Sequence, residues 1–516
     1  FFNDTATTEI YTLSLHDALP IYSATLTPSE EEPQINVPMA DIFVQYPGAS
    51  PAEVESRVTK PLERILSNIS GVEYVYSTSM PNMTMLIVRF YVGQDPERSM
   101  VKLYDEIAKN MDKMPPGVSA PLIKSKSIDD VPMLALTLWS PTHDDYELRR
   151  IAAVLAAELK QVHAVAETRL IGGRPRQLRV NLDPGAMAGA GVDPLHVAGL
   201  IGAANAQSPA GRFVHADSEY VVETGSFLTT AEEVGRVVVG VHRGGPVYLR
   251  SVARIEDGPA EPSDYVRFGF GDAAVPSAHR DGDREFAAVT ISVSKVKGTD
   301  AKAIAGAILA KVDSLRGRLL PADVEVSVTR NYGATASEKV GELLKHLSVA
   351  ILAVTILVAL SMGWRSGLVI FMTVPVTFAL TLFVYYLFGY TLNRITLFAL
   401  VFVTGLVVDD AIIVVENMHR HFRMRKLPFL QAAIAAIDEV GNPTILATFT
   451  VIASVLPMAF VSGLMGPYMS PMPIGASLAM MFSLLVALII TPWLVLRLFR
   501  GEATGAHAVH ARNRAE

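Results

Sequence analysis

Beyond residue 346 the chain contains long runs without a single charged side chain, and these runs restrict the fold more than any other feature. The runs cover 347–364, 367–393, 397–408 and 441–496. A helix crosses a bilayer with about 20 apolar residues, so each marks a span. The third continues past Asp409 and Asp410 into Ala-Ile-Ile-Val-Val. The last is divided by Gly466-Pro-Tyr-Met-Ser-Pro-Met-Pro473. The spacing therefore predicts five spanning helices, near 347–363, 367–388, 396–418, 444–463 and 474–496.

Asp409 and Asp410 sit inside the third span. An ionised Asp at a helix centre costs roughly 2.5–3.5 kcal/mol on insertion scales. Two neighbours cost more, because each disfavours the other's charge. Intramembrane carboxylates are rare and mark ion or proton paths, so the pair is read as a proton relay. No Lys or Arg lies in the five predicted spans, so the cation that would balance the pair is expected on a helix beyond them. Gly405, four residues before Asp409, would admit such a helix closely. Thr404 is a candidate relay hydroxyl, although a Thr in a membrane helix commonly bonds its own backbone. Glu416 and Asn417 are expected in solvent at the helix end.

Basic residues in the short links set orientation. Arg365, the link His419–Lys426, Arg497 and Arg500 share one side, against Arg394 alone on the other. The basic side is expected in the cytoplasm and the long region before residue 335 outside it. A short helix over 427–440 would lie along the inner surface. The net charge of -7 gives no reason to expect a nucleic-acid partner. With no Cys, disulfides and thiolate metal sites are excluded for this chain.

Residues 3–21, NDTATTEIYTLSLHDALPI, match the in-frame translation of a common sequencing adapter, so 1–25 are set aside as non-native. Export of the long region needs a preceding signal or membrane span, which is expected to have been lost at this point.

Between 26 and 334, strand and helix patterns alternate. Apolar alternation over 34–46 reads as a strand, and Ser50 with Pro51 and Glu53 as a helix start. Further helices are predicted over 96–114, 145–162, 194–206 and 301–315, with strands between them. The pattern predicts small α+β modules of repeated βαβ, ferredoxin-like, each a sheet with helices on one face. The turn-dense, Gly- and Val-rich stretch over 208–283 reads as a β-rich insertion that interrupts the second module. His163, His196, His215, His242 and His279 lack ligand spacing, and no metal site is expected.

Several segments resemble the resistance-nodulation-division (RND) efflux permeases. They are GLVVDDAIIVVEN at 405–417, YPGASPAEVESRVTKPLE at 46–63, KVKGTDAKAIAGAI at 295–308 and VLPMAF at 455–460. The resemblance implies a duplicated twelve-helix inner-membrane transporter of Gram-negative bacteria with a large periplasmic region. This chain would be its first half without the leading helix. It divides the chain into porter subdomain 1 at 26–115 and porter subdomain 2 at 116–182 and 284–334. A docking insertion would occupy 183–283, the membrane helices 335–500, and a linker to the second half 501–516.

Asp409 and Asp410 match the family's proton-carrying aspartates, whose lysine partner lies in the second half. The expected work is proton-driven export of small hydrophobic or amphiphilic compounds, with no cofactor. The expected partners are a homotrimer, a periplasmic adaptor protein and an outer-membrane channel. Where multidrug relatives carry pocket phenylalanines this chain has Val131, Pro132 and Ile171, which predicts a less aromatic substrate pocket. Met465, Met469, Met472, Met480 and Met481 raise copper or silver export as an alternative, although Met is also ordinary packing. Assistance to protein or lipid translocation is a second alternative.

Overall fold

The computed structural model describes residue 23 and residues 26–271 and 285–499. The adapter-like residues, His279 and the expected linker at 501–516 lie outside the described residues.

The first module runs β1 (Met39–Gln45), α1 (51–67), β2 (Val72–Met80), β3 (Met83–Phe90), α2 (Pro96–Lys109) and β4 (Leu122–Lys126). Its strands order as β2-β3-β1-β4, all antiparallel. Alternation puts Ala40, Ile42 and Val44 on one face, opposite Leu86 and Val88. Helix α1 starts at a capping box, in which Ser50 accepts from the Glu53 amide and Glu53 accepts from the Ser50 amide. It buries Val58, Leu62 and Leu66 at four-residue spacing against that face, and α2 adds Leu103 and Ile107.

The fourth strand moves a boundary. Residues 122–126, LIKSK, pair with β1, so the first module extends past residue 115. Its alternating lysines fit an edge strand, which is short and charged by nature and gives little apolar signal.

The second module runs β5 (Pro132–Trp139), α3 (Asp145–Leu159), β6 (Val165–Ile171), then β14 (Phe286–Lys295), α7 (Ala301–Leu315) and β15 (Glu325–Asn331). Its order is β6-β14-β5-β15, the same arrangement once the insertion is set aside. Leu134, Leu136, Leu138, Val289, Ile291 and Val293 face the two helices.

The insertion leaves after β6. It holds β7 (Arg176–Leu182), α4 (Pro184–Ala190), α5 (Pro194–Ala204), β8 (Ser208–His215), β9 (Ser218–Thr224), α6 (Ala231–Gly235), β10 (Val238–His242), β11 (Gly245–Tyr248), β12 (Ala253–Pro259) and β13 (Arg267–Phe268). Strand β7 pairs with β12 rather than with the second sheet, so the insertion begins near 172, not 183. It has its own core around Val197, Val239, Val247 and Leu249. Within it, the hairpin β8–β9 stands fully exposed.

Among the described residues five helices are long and apolar enough to cross a membrane, as the uncharged runs predicted. They are α8 (Tyr332–Met362), α9 (Trp364–Leu387), α10 (Arg394–Met424), α11 (Phe429–Phe460) and α12 (Met465–Phe499). Helix α8 follows β15 without a linker, and Asn331 caps it by accepting from the Ala334 amide. The separate surface helix expected over 427–440 is absent. Instead α11 is helical from Phe429 to Val455, with Pro443 inside it. Both sides of that proline are helix-forming, and Pro is tolerated within membrane helices.

A strap of residues 28–32 joins the two regions. It lies between the α9–α10 loop and the second module, bonded to both. The basic link 419–426 lies at the other end of α10, so the modules and this link occupy opposite ends of the bundle.

Candidate functional site: the carboxylates of helix α10

Helix α10 packs against all four other spans and is the most buried of the five. Asn393 caps it, accepting from the Ile395 and Thr396 amides at 3.0 Å each, while the Thr396 hydroxyl accepts from the Asn393 amide. Asp410 lies 16 residues beyond Arg394, a rise of about 24 Å along the axis. That places it near the middle of the helix.

The two carboxylates diverge. Adjacent helical residues point about 100° apart, which follows from 3.6 residues per turn. Asp410 turns into the bundle and is 7% exposed. Asp409 is exposed, on a stripe with Phe398, Phe402, Gly405, Ile413 and Glu416 at three- and four-residue spacing. Gly405 faces open space on that stripe. The face holding Asp409 is therefore not covered by the described residues.

Around Asp410 stand two hydroxyls from neighbouring helices. The Thr448 hydroxyl is 3.5 Å from Asp410 Oδ1 and 2.9 Å from the Thr444 carbonyl. Ser483, also beside Asp410, donates to the Val407 carbonyl at 2.8 Å. Each hydroxyl is thus shared between a backbone carbonyl and the Asp410 carboxyl. Asp410 Oδ2 has no hydrogen-bond partner among the described residues.

The other predicted residues are distributed as follows. The Thr404 hydroxyl donates to the Leu400 carbonyl at 2.7 Å, the self-bonding geometry usual for a membrane Thr. Glu416 is exposed, but Asn417 is buried and donates to the Ala436 carbonyl at 2.7 Å, tying α10 to α11. Glu439 extends that tie by bonding Arg420 and His421. Val131 and Pro132 line a cavity of about 310 Å³ with Glu30, Lys295 and Tyr332. Ile171 is not brought to that cavity. It pairs with Thr290, whereas Pro132 pairs with Ser294, four residues along β14, or about 13 Å.

Aromatic side chains gather elsewhere on the second module. Trp139 stacks on Phe268 with centroids 5.0 Å apart and meets Phe270 edge-on at 5.4 Å. Sequence reading missed this cluster, and it missed Ser483 and Thr448. All three arise from contacts between elements distant in the chain. Among the described residues no group of His, Asp and Glu is placed to hold a metal ion.

These features agree with relatives of known type. Multidrug resistance protein MdtC of Yersinia enterocolitica is 29% identical over 483 residues, 93% of this chain and 46% of that protein. MdtC of Pectobacterium atrosepticum is 29% identical over 479 residues, covering 92% of this chain and 45% of that protein. The chain thus spans about half the length of the curated relatives it matches. A profile of the AcrB/AcrD/AcrF family matches residues 18–515, through both modules, the insertion and all five membrane helices, and the chain belongs to that family.

Proposed function

We propose that this chain is the N-terminal half of an inner-membrane RND efflux permease that exports small hydrophobic or amphiphilic compounds by proton antiport. It acts as a transporter, not an enzyme, and uses no cofactor. The observation that carries this reading is Asp410, a carboxyl buried mid-helix in the most enclosed span beside the Thr448 and Ser483 hydroxyls. Such a group takes up a proton without a resident counter-charge and gives it up when a cation or water arrives. Asp409, on the uncovered stripe, is positioned to meet a cationic helix from the second half, for which Gly405 leaves room.

The two matching sheets fit ferredoxin-like porter subdomains in the periplasm, and the exposed β8–β9 hairpin fits a docking element toward other subunits of a homotrimer. Adaptor and outer-membrane channel proteins would complete the path. MdtC relatives are named for multidrug resistance, which favours organic compounds over copper or silver. Val131, Pro132 and Ile171 then contribute aliphatic surface to the substrate path, and Thr404 shapes the helix beside the relay.

In the complete permease, Asp410→Asn is expected to reduce ethidium export from pump-deficient cells to background while trimer assembly persists. Wild-type export by that variant would end the relay assignment.

A further inference from the structure

We propose that the strap at 28–32, clamped by the buried pair Glu30–Lys295, is the strut that carries movement of helix α10 into the second module. The inference rests on the proton-driven reading of Asp410, and extends it to the strap, whose Glu30 also borders the cavity of Val131 and Pro132.

The strap is bonded on both flanks. Toward the membrane, the Glu30 amide donates to the Leu392 carbonyl at 2.9 Å, and the Leu392 amide to the Pro28 carbonyl at 2.8 Å. Toward the second module, the Ser29 amide donates to Asp300 Oδ2 at 3.0 Å, and the Ala301 amide to the Ser29 carbonyl at 3.2 Å. The strap therefore has bonded neighbours on both sides, one preceding α10 and the other opening α7.

Glu30 joins the two flanks through its side chain. One carboxylate oxygen pairs with Lys295 at the end of β14, and the other accepts from the Thr391 hydroxyl at 3.1 Å. The two side chains are 3% and 7% exposed. Burying an ion pair brings little net stability, because desolvation offsets the attraction. Its value lies in fixing one arrangement, since removing either partner strands a charge away from water. Thr391 is two residues from Asn393, the cap of α10. An axial shift or tilt of α10 must therefore displace the loop, the strap and Lys295 together, or break this cluster. The coupling is carried by discrete contacts that run without a break from the α9–α10 loop to β14.

The test uses the complete permease, in a background where this half offers no competing cysteine. Spin labels at Phe388→Cys, in the α9–α10 loop, and Ser314→Cys, on α7, report the distance across the strap. The expected result is one narrow distance, unchanged between pH 8 and pH 5. Glu30→Gln and Lys295→Met should each broaden it at least twofold and lower ethidium export at least tenfold. The reversed pair, Glu30→Lys with Lys295→Glu, should narrow the distance again and restore export to within threefold. A wild-type distance that moves with pH would overturn the strut. So would single variants with an unbroadened distance, or full export despite broadening. Failure of the relay reading is separate: it would appear as export by Asp410→Asn, with the distance measurements intact.

Discussion

The two α/β modules share one strand order and differ in what joins their second and third strands. In the first, a tight hairpin at Pro81–Asn82 does so, with Asn82 in the left-handed region at φ 67°. In the second, an insertion with its own core stands in that place. One strand order on such different connections shows that the order is held by the two helix-facing cores, not by the turn. Lengthening a surface loop costs little, since each doubling adds only about 0.6 kcal/mol of closure entropy. The second module differs also in its attachments: β15 passes directly into α8, and the strap clamps its β14–α7 corner. Added chain and membrane contact thus fall on the same module.

The point where the insertion leaves gives the sharpest contrast. Gly173 has φ 70°, and a Cβ there would lie 2.7 Å from the Asp145 carbonyl oxygen and 2.7 Å from Val289 Cγ2. Gly93 in the first module has φ 85° but nothing near its missing Cβ. Gly173→Val should therefore cost about 3 kcal/mol or more, combining left-handed strain with overpacking. Gly93→Ala should cost about 1–2 kcal/mol, from backbone strain alone. Hydrogen exchange by module measures both, and equal losses would mean the exit from β6 is not a fixed corner.

A smaller effect tests the buried hydroxyls of each module. Thr137 Oγ1 lies 2.9 Å from Thr290 Oγ1 and 3.1 Å from Thr329 Oγ1, linking three strands. The first module has a comparable trio, Thr59, Ser79 and Thr84, tying α1 to its hairpin instead. Thr137→Val should destabilise the second sheet by about 1 kcal/mol, and Thr84→Val the first by a similar amount. Exchange protection lost in only one sheet per variant would establish that the modules open independently. Loss in both would break the comparison.

Much of this was legible in the chain itself, for identifiable reasons. The five spans were visible because a bilayer imposes a minimum apolar length. Helix α7 matched its predicted bounds, Ala301–Leu315, because Asp300 caps it and its apolar period is regular. Strand β4 was hidden because LIKSK carries lysines on an edge. The divergence of Asp409 and Asp410 follows from helical geometry, but which one turns inward is set by α11 and α12, and spacing along α10 carries no record of that. The hydroxyls Thr448 and Ser483 were invisible for the same reason, lying 38 and 73 residues from Asp410.

The smallest expected effect is a pH dependence confined to the second module. His143 bonds Glu147 at 2.7 Å and lies 3.1 Å from Asp323, so it links the start of α3 to the α7–β15 connection. The hydrogen bond to Glu147 leads the causes that raise its pKa above the ordinary histidine value, with the charges of Asp323 and Glu147 adding to it. A group whose folded pKa is raised stabilises fully below its unfolded value, about 6.5, and loses that contribution as pH rises through the folded value. The gain should stay under about 1 kcal/mol, the range of partly exposed pairs. Asp323 is shifted the opposite way, first by the Thr142 hydroxyl, and loses its contribution only as pH falls into the acid range. Between about pH 6 and pH 8 the histidine alone should act. Protection of α3, corrected for intrinsic exchange, should fall across that interval while protection of α1 stays constant. His143→Gln should flatten the α3 profile, and a slope that survives the substitution would assign the pH response to another group.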